Sequence, residues 1–232
     1  MSLWVERFDD AERWTESVAG VLEARIRAAV VRRGCALLAL SGGSTPEPVY
    51  RRLARRDLPW EKVTLTLTDE RWVGAGSAAS NERLVRDTLL AGKGAAARFV
   101  PLKNAASTAQ GGAAACEAAL AVLPTPFDCV LLGMGEDGHT ASLFPHSSGL
   151  ERALERGRAH RCMPMTAPVS PTERMSLTLA MLLDSREIVL LIRGRAKWRA
   201  FERARRDTDA ATMPVRAVLH QREVPVRVIW LP

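Results

Sequence analysis

The feature that most constrains this chain is a repeated order: a short apolar run, then a motif rich in glycine or charge, then a helical stretch. Cys35-Ala-Leu-Leu-Ala-Leu40 runs into Ser41-Gly-Gly-Ser-Thr-Pro46. Val63-Thr-Leu-Thr-Leu-Thr68 runs into Asp69-Glu70-Arg71, and Phe127-Asp-Cys-Val-Leu-Leu132 into Gly133-Met-Gly-Glu-Asp-Gly-His-Thr140. Apolar or β-branched runs of this length read as strands. The segment 10–33 carries Trp14, Val18, Val21, Leu22 and Ile26 at helical spacing and is stopped by Gly34. Further helices are expected at 48–56, 81–90, 105–123 except around Gly111-Gly112, 176–184, 194–205 and 214–220, and further strands near 99–102, 161–165, 188–192 and 226–230. Apolar strands separated by helices predict an α/β fold with a mainly parallel sheet covered by helices on both faces. With no internal repeat, low-complexity tract or Pro/Ser linker, residues 1–232 are expected to form a single domain.

In open parallel sheets ligands bind outside the carboxyl ends of the strands. Three polar motifs at three such ends predict one site. The net charge of +7 suggests an anionic partner, yet only four of the 33 basic residues are lysines (Lys62, Lys93, Lys103, Lys197). Arginines and acids are mixed along the helices, as in Glu23-Ala-Arg25-Ile-Arg27, without a long basic run, a basic aromatic stripe or a DNA-binding spacing. A small anion therefore explains the charge without nucleic acid, and so does an arginine-rich solvated surface. Cys35, Cys116, Cys129 and Cys162 show no paired spacing, so neither a disulfide framework nor a cysteine metal site is expected. No apolar run approaches the roughly 20 residues that cross a bilayer, and the charged N-terminus lacks a leader pattern. The expected compartment is the cytosol.

Each motif has a chemical and a structural reading. In Ser41–Pro46, Gly42 and Gly43 let backbone N–H groups approach an anion, and Ser44 and Thr45 add hydroxyl donors ahead of a helix start. The motif lacks the Gly-Lys-Ser/Thr of a nucleotide loop. Its structural reading is a tight turn with Ser44 or Thr45 as helix cap. Gly133–Gly138 matches the dinucleotide fingerprint in letters, but Glu136 and Asp137 would set negative charge beside a diphosphate, and Pro145 cuts the next segment short. The loop instead presents His139, suited to proton transfer near neutrality, with Asp137 able to fix its tautomer. Asp69-Glu70-Arg71 supplies two acids and a guanidinium, although a charged triplet leaving a strand commonly forms a solvated turn. Arg174 and Lys197 are candidate phosphate ligands.

Taken in order, Ser-Gly-Gly-Ser-Thr-Pro, Thr68-Asp-Glu-Arg-Trp72, Ser80-Asn-Glu-Arg83, Leu132–Pro145, Glu173-Arg-Met-Ser-Leu-Thr178 and Gly194-Arg-Ala-Lys197 resemble the 6-phosphogluconolactonase family, related to the glucosamine-6-phosphate deaminases. The resemblance implies a Rossmann-like α/β fold, a small sugar-phosphate substrate, no required cofactor or metal, and a monomer or small homo-oligomer with no membrane or nucleic-acid partner. By the same resemblance Ser44, Thr45, Arg174 and Lys197 surround the phosphate, with Gly42 and Gly43 in its loop. Asp69, Arg71 and His139 then line the reactive end, with Asp137 or Asp69 orienting the imidazole. The deaminases carry a glutamate in an Asn-Glu-Pro stretch after the histidine, where this chain has Leu143-Phe144-Pro145. That difference favours the lactonase over the deaminase, the alternative activity.

Overall fold

The computed structural model describes residues 3–157 and 159–232. In chain order the elements are β1 (Leu3–Arg7), α1 (Ala11–Arg33), β2 (Ala36–Leu40), α2 (Glu47–Leu53), β3 (Val63–Leu67), β4 (Asp69–Arg71), α3 (Asn81–Thr88), β5 (Arg98–Phe99) and α4 (Ala109–Ala121). They continue with β6 (Cys129–Gly133), α5 (Leu150–Leu154), β7 (Cys162–Thr166), β8 (Glu173–Leu177), α6 (Leu179–Leu183), β9 (Ile188–Arg193), α7 (Arg195–Ala204), α8 (Val215–Leu219) and β10 (Val226–Leu231).

Seven strands pair in the order β1-β10-β9-β6-β2-β3-β5, and every pair is parallel. All five residues of β2 are buried, as are the first four of β6 and the first five of β9. Because successive strand residues face opposite sides, burial of all of them means that both faces of the sheet are covered. Helix α1 supplies part of that cover. Asp10 caps its start by accepting from the Arg13 N–H at 2.7 Å, and Gly34 closes it at φ 77°. Between the caps Trp14, Val18, Leu22 and Ile26 form an apolar stripe at four-residue spacing, fully buried against the sheet.

The chain moves outward from β2 to β3 and β5, then returns to lay β6 on the other side of β2. The strand order therefore reverses between β2 and β6, and a crevice opens at their carboxyl ends. This is where open α/β sheets place a ligand. The Ser41 and Gly133 motifs come directly after those two strands.

Several features depart from the sequence reading. β1, α5 and β8 were not expected, and α4 runs unbroken through Gly111-Gly112. The run near 161–165 does form a strand, β7, but outside the parallel sheet. It joins β8 and β4 in a three-stranded antiparallel sheet in the order β4-β8-β7. Asp69-Glu70-Arg71 is therefore not a solvated turn. It is strand β4, with Glu70 fully buried, because pairing with β8 turns the triplet inward. Among the described residues no helix is long and apolar enough to cross a membrane.

Candidate active site

A cavity of about 320 Å³ sits at the carboxyl ends of the strands. It gathers Ser41–Pro46 after β2, Asp69 and Arg71 on β4, Asn81 at the start of α3, and Arg174 on β8. Gly133–Gly135, His139 and Phe144 around the loop after β6 and Lys197 on α7 complete its wall. All of the residues expected from sequence line it except Asp137, which stands one shell out behind His139.

At one end the cavity is rich in donors that have nothing to donate to. The N–H groups of Gly42, Gly43, Ser44 and Thr45 meet no acceptor among the described residues. The Ser41 hydroxyl and the Arg174 Nε are buried and unpartnered. Helix α2 begins only at Glu47 with Pro46 at its cap, so neither Ser44 nor Thr45 is spent on capping. The helix is seven residues long, and the donors that line the cavity belong to the loop itself. Arg71 and Arg174 are cross-strand partners in the β4–β8 ladder, which sets two guanidinium groups side by side. Arg71 donates from Nη1 to the Ala79 carbonyl at 2.7 Å. Burial lowers the Arg174 guanidinium below the ordinary arginine range and the Arg71 charge pushes the same way, while Asp69 and Glu70 pull back. Lys197, half-buried, makes no hydrogen bond or ion pair with any described residue. Two buried or half-buried cations, a lysine and a row of free N–H groups call for an anion.

At the other end the loop after β6 is tied to itself. The Gly135 N–H donates to the His139 carbonyl at 2.9 Å, the Gly138 N–H to the Gly135 carbonyl at 3.1 Å, and the Thr140 hydroxyl to the Gly133 carbonyl at 2.9 Å. From outside, the Val215 N–H fixes the Gly138 carbonyl at 2.9 Å. Gly135 has to be glycine, since a Cβ there would fall 2.2 Å from His139 Nδ1. That nitrogen lies 2.6 Å from Asp137 Oδ1, which also accepts from the His139 N–H at 3.1 Å. Burial raises the Asp137 carboxyl, but the hydrogen bonds from His139 outweigh it, and the net position lies below the ordinary aspartate range. An ionised Asp137 selects the tautomer with the proton on Nδ1 and leaves Nε2 as the basic atom. The Phe144 ring tilts against the imidazole at 4.7 Å. Ala141 lies on the cavity wall at φ 48°, a strained position for a residue with a side chain, and its N–H has no acceptor among the described residues.

Asp69 does not reach the imidazole by any hydrogen bond. Its Oδ2 accepts from the buried Ser142 hydroxyl at 2.5 Å, which ties the β6 loop to β4. Of the two acids considered for orienting His139, the geometry uses Asp137. No group of three or more His, Cys, Asp or Glu among the described residues is placed to hold a metal ion.

A family profile described as glucosamine-6-phosphate isomerases/6-phosphogluconolactonase matches residues 9–230. The chain belongs to that family. A 6-phosphogluconolactonase of Rhizobium meliloti is 43% identical over the whole of both chains, and one of Pseudomonas putida is 40% identical over 98% of this chain and 93% of its own. Among solved structures, a 6-phosphogluconolactonase from Shewanella baltica superposes with a TM-score of 0.96 at 40% identity, covering 100% of this chain and 98% of that one. A monomeric glucosamine-6-phosphate deaminase superposes at 0.79 with 21% identity over 97% and 96%, and so shares the fold.

Asn81 and Ser142 entered the sequence reading only inside longer motifs, and Glu70 only as one acid of its triplet, none with a role of its own. Asn81 is almost fully buried and Ser142 fully so, and both line the cavity. The signal available for Asn81 was its place after Ser80, which caps α3 by accepting from the Arg83 N–H at 3.1 Å. A start of helix can be read locally. Where it docks cannot.

Proposed function

We propose that this protein hydrolyses 6-phospho-D-glucono-1,5-lactone to 6-phosphogluconate, a step of the oxidative pentose phosphate pathway. The observation that carries the reading is a single cavity with a cluster of cations and unspent donors at one end and a carboxylate-backed imidazole at the other. The 6-phosphate docks on the N–H groups of Gly42–Thr45, the hydroxyls of Ser44 and Thr45, Arg174 and Lys197. Arg71, expected at the reactive end, is the cross-strand neighbour of Arg174 and in this reading belongs with the phosphate charge cluster instead. Binding at this end presents the lactone carbonyl to His139.

Neutral His139, with Asp137 on Nδ1, takes a proton at Nε2 from water as the water oxygen attacks the carbonyl carbon. The carbonyl oxygen becomes an oxyanion, and cavity-facing backbone N–H groups, that of Ala141 among them, stabilise it. The tetrahedral intermediate collapses by breaking the bond to the ring oxygen. The imidazolium returns its proton to that oxygen, so one water has been added and His139 is neutral again. Asp137 stays ionised throughout and steadies the transient imidazolium. Phe144 keeps an apolar surface where a deaminase carries an acid, which supports hydrolysis over ring-opening deamination.

The test is a continuous proton-release assay with freshly generated 6-phosphogluconolactone, corrected for spontaneous opening and run without added metal or nucleotide. Acceleration of lactone opening, with no ammonia released from glucosamine 6-phosphate, is the expected result. Ammonia release without lactone hydrolysis would reverse the assignment.

A further inference from the structure

We propose that Asn81 is a positioning residue that braces the phosphate loop against strand β4, and that the buried Glu70 carboxylate holds it there. The inference rests on the phosphate reading of the Ser41–Pro46 loop.

The side chain of Asn81 is 2% exposed and lies between the two elements. Its Nδ2 donates to the Asp69 carbonyl at 2.8 Å. A carbonyl only accepts, so this bond also fixes which way the amide faces. The rest of the amide fills the space beside Gly42. A Cβ added to Gly42 would lie 1.8 Å from Asn81 Oδ1 and 2.1 Å from its Cγ. Gly42 does not have a positive φ, so its backbone would accept a side chain and the neighbouring amide is what forbids one. The loop is therefore seated on the Asn81 amide, and the amide is seated on the strand that carries Asp69 and Arg71.

Glu70 explains why the amide stays in place. Its Oε1 accepts from the Arg71 N–H at 2.7 Å and the Asn81 N–H at 2.8 Å. Its Oε2 accepts from the Glu82 N–H at 2.8 Å and the Ser80 hydroxyl at 3.1 Å. Four donors occupy both oxygens, which is the arrangement of a carboxylate rather than an acid. Burial raises the Glu70 carboxyl above its ordinary range against the pull of the backbone donors, so the charge is costly and the donors offset that cost. A fully buried acid satisfied by the first turn of α3 locks the helix start to β4 and leaves Asn81 no freedom to swing. Supporting contacts of this kind set binding geometry to fractions of an ångström.

The experiment uses 6-phosphogluconate as the binding probe, with kinetics on 6-phosphogluconolactone and on unphosphorylated gluconolactone. Asn81→Ala is expected to raise Kd for 6-phosphogluconate and KM for the phosphorylated lactone by about ten- to a hundredfold. Its kcat, and its weak rate on unphosphorylated gluconolactone, should fall by a smaller factor than binding does. That split separates a brace from a general loss of structure, which would impair all four together. A double-mutant cycle adds a second readout. Gly42→Ala alone should impair binding through the amide, and the Gly42→Ala/Asn81→Ala pair should be less impaired than the sum of the two. Additive effects, or an unchanged Kd in Asn81→Ala when wild type binds, would overturn the inference while leaving the phosphate reading intact. Wild type that fails to bind 6-phosphogluconate would overturn both.

Discussion

The two ends of the cavity are built on opposite principles. The loop after β2 leaves its donors open: four backbone N–H groups, the Ser41 hydroxyl, Arg174 Nε and Lys197 have no protein partner among the described residues. The loop after β6 is closed on itself, with Gly135, Gly138, His139 and Thr140 joined by internal hydrogen bonds and pinned from α8. An end that must bind gains from donors held ready and unspent, because the ligand then replaces water without breaking protein contacts. An end that must move a proton gains from one fixed direction, since general acid–base catalysis demands the base within hydrogen-bond reach of water. The open end holds its shape through a buried acid and an amide behind it. The closed end holds its shape through its own backbone.

The comparison can be broken most sharply at His139. His139→Ala should lower kcat by roughly 10²–10⁴-fold, the usual share of general acid–base catalysis, and leave 6-phosphogluconate binding nearly intact. His139→Gln should not rescue the rate, since an amide cannot accept the proton. A folded variant that binds 6-phosphogluconate yet hydrolyses at the wild-type rate would remove the imidazole from the chemistry.

At the open end the pattern should invert. Arg174→Ala is expected to raise KM by about 10–100-fold with a smaller change in kcat, because a charge-assisted contact to phosphate exists before and during reaction. 6-Phosphogluconate should raise the melting temperature of wild type and not of this variant. Equal losses on phosphorylated and unphosphorylated lactones would place Arg174 outside the phosphate site.

The smallest effect is expected at Asp137, whose carboxylate bonds the imidazole and the backbone N–H of His139. Asp137→Asn should lower kcat by about tenfold, the scale of one hydrogen bond to a charged group, with KM little changed. Its folded carboxyl lies below the ordinary range, so whatever stability it lends is present above about pH 4 and is lost as pH falls through the folded value. Any thermal advantage of wild type over Asp137→Asn should therefore vanish on acidification below about pH 4. An advantage that persisted there would assign it to something other than the ionised pair.

Much of this site is legible in one dimension because strand, loop and helix succeed each other locally. The runs ending at Leu40 and Leu132 were readable as buried strands, and their glycine motifs as loops at carboxyl ends, since each signal is complete within about ten residues. His139 and Asp137 are two positions apart, and their partnership could be inferred from spacing. The Asp69-Glu70-Arg71 triplet shows where that stops. Its letters describe a solvated turn, and only pairing with β8 makes it a strand, buries Glu70 and sets Arg71 beside Arg174. The same holds for Asn81, whose helix start is written locally while the loop it supports lies earlier in the chain. From the sequence alone come the α/β order, two glycine loops at carboxyl ends and an imidazole with two candidate acids, because periodicity and short spacings encode them. Tertiary packing settles which arginines stand together and what backs the open loop. Those are contacts between residues far apart in the chain, and no local pattern records them.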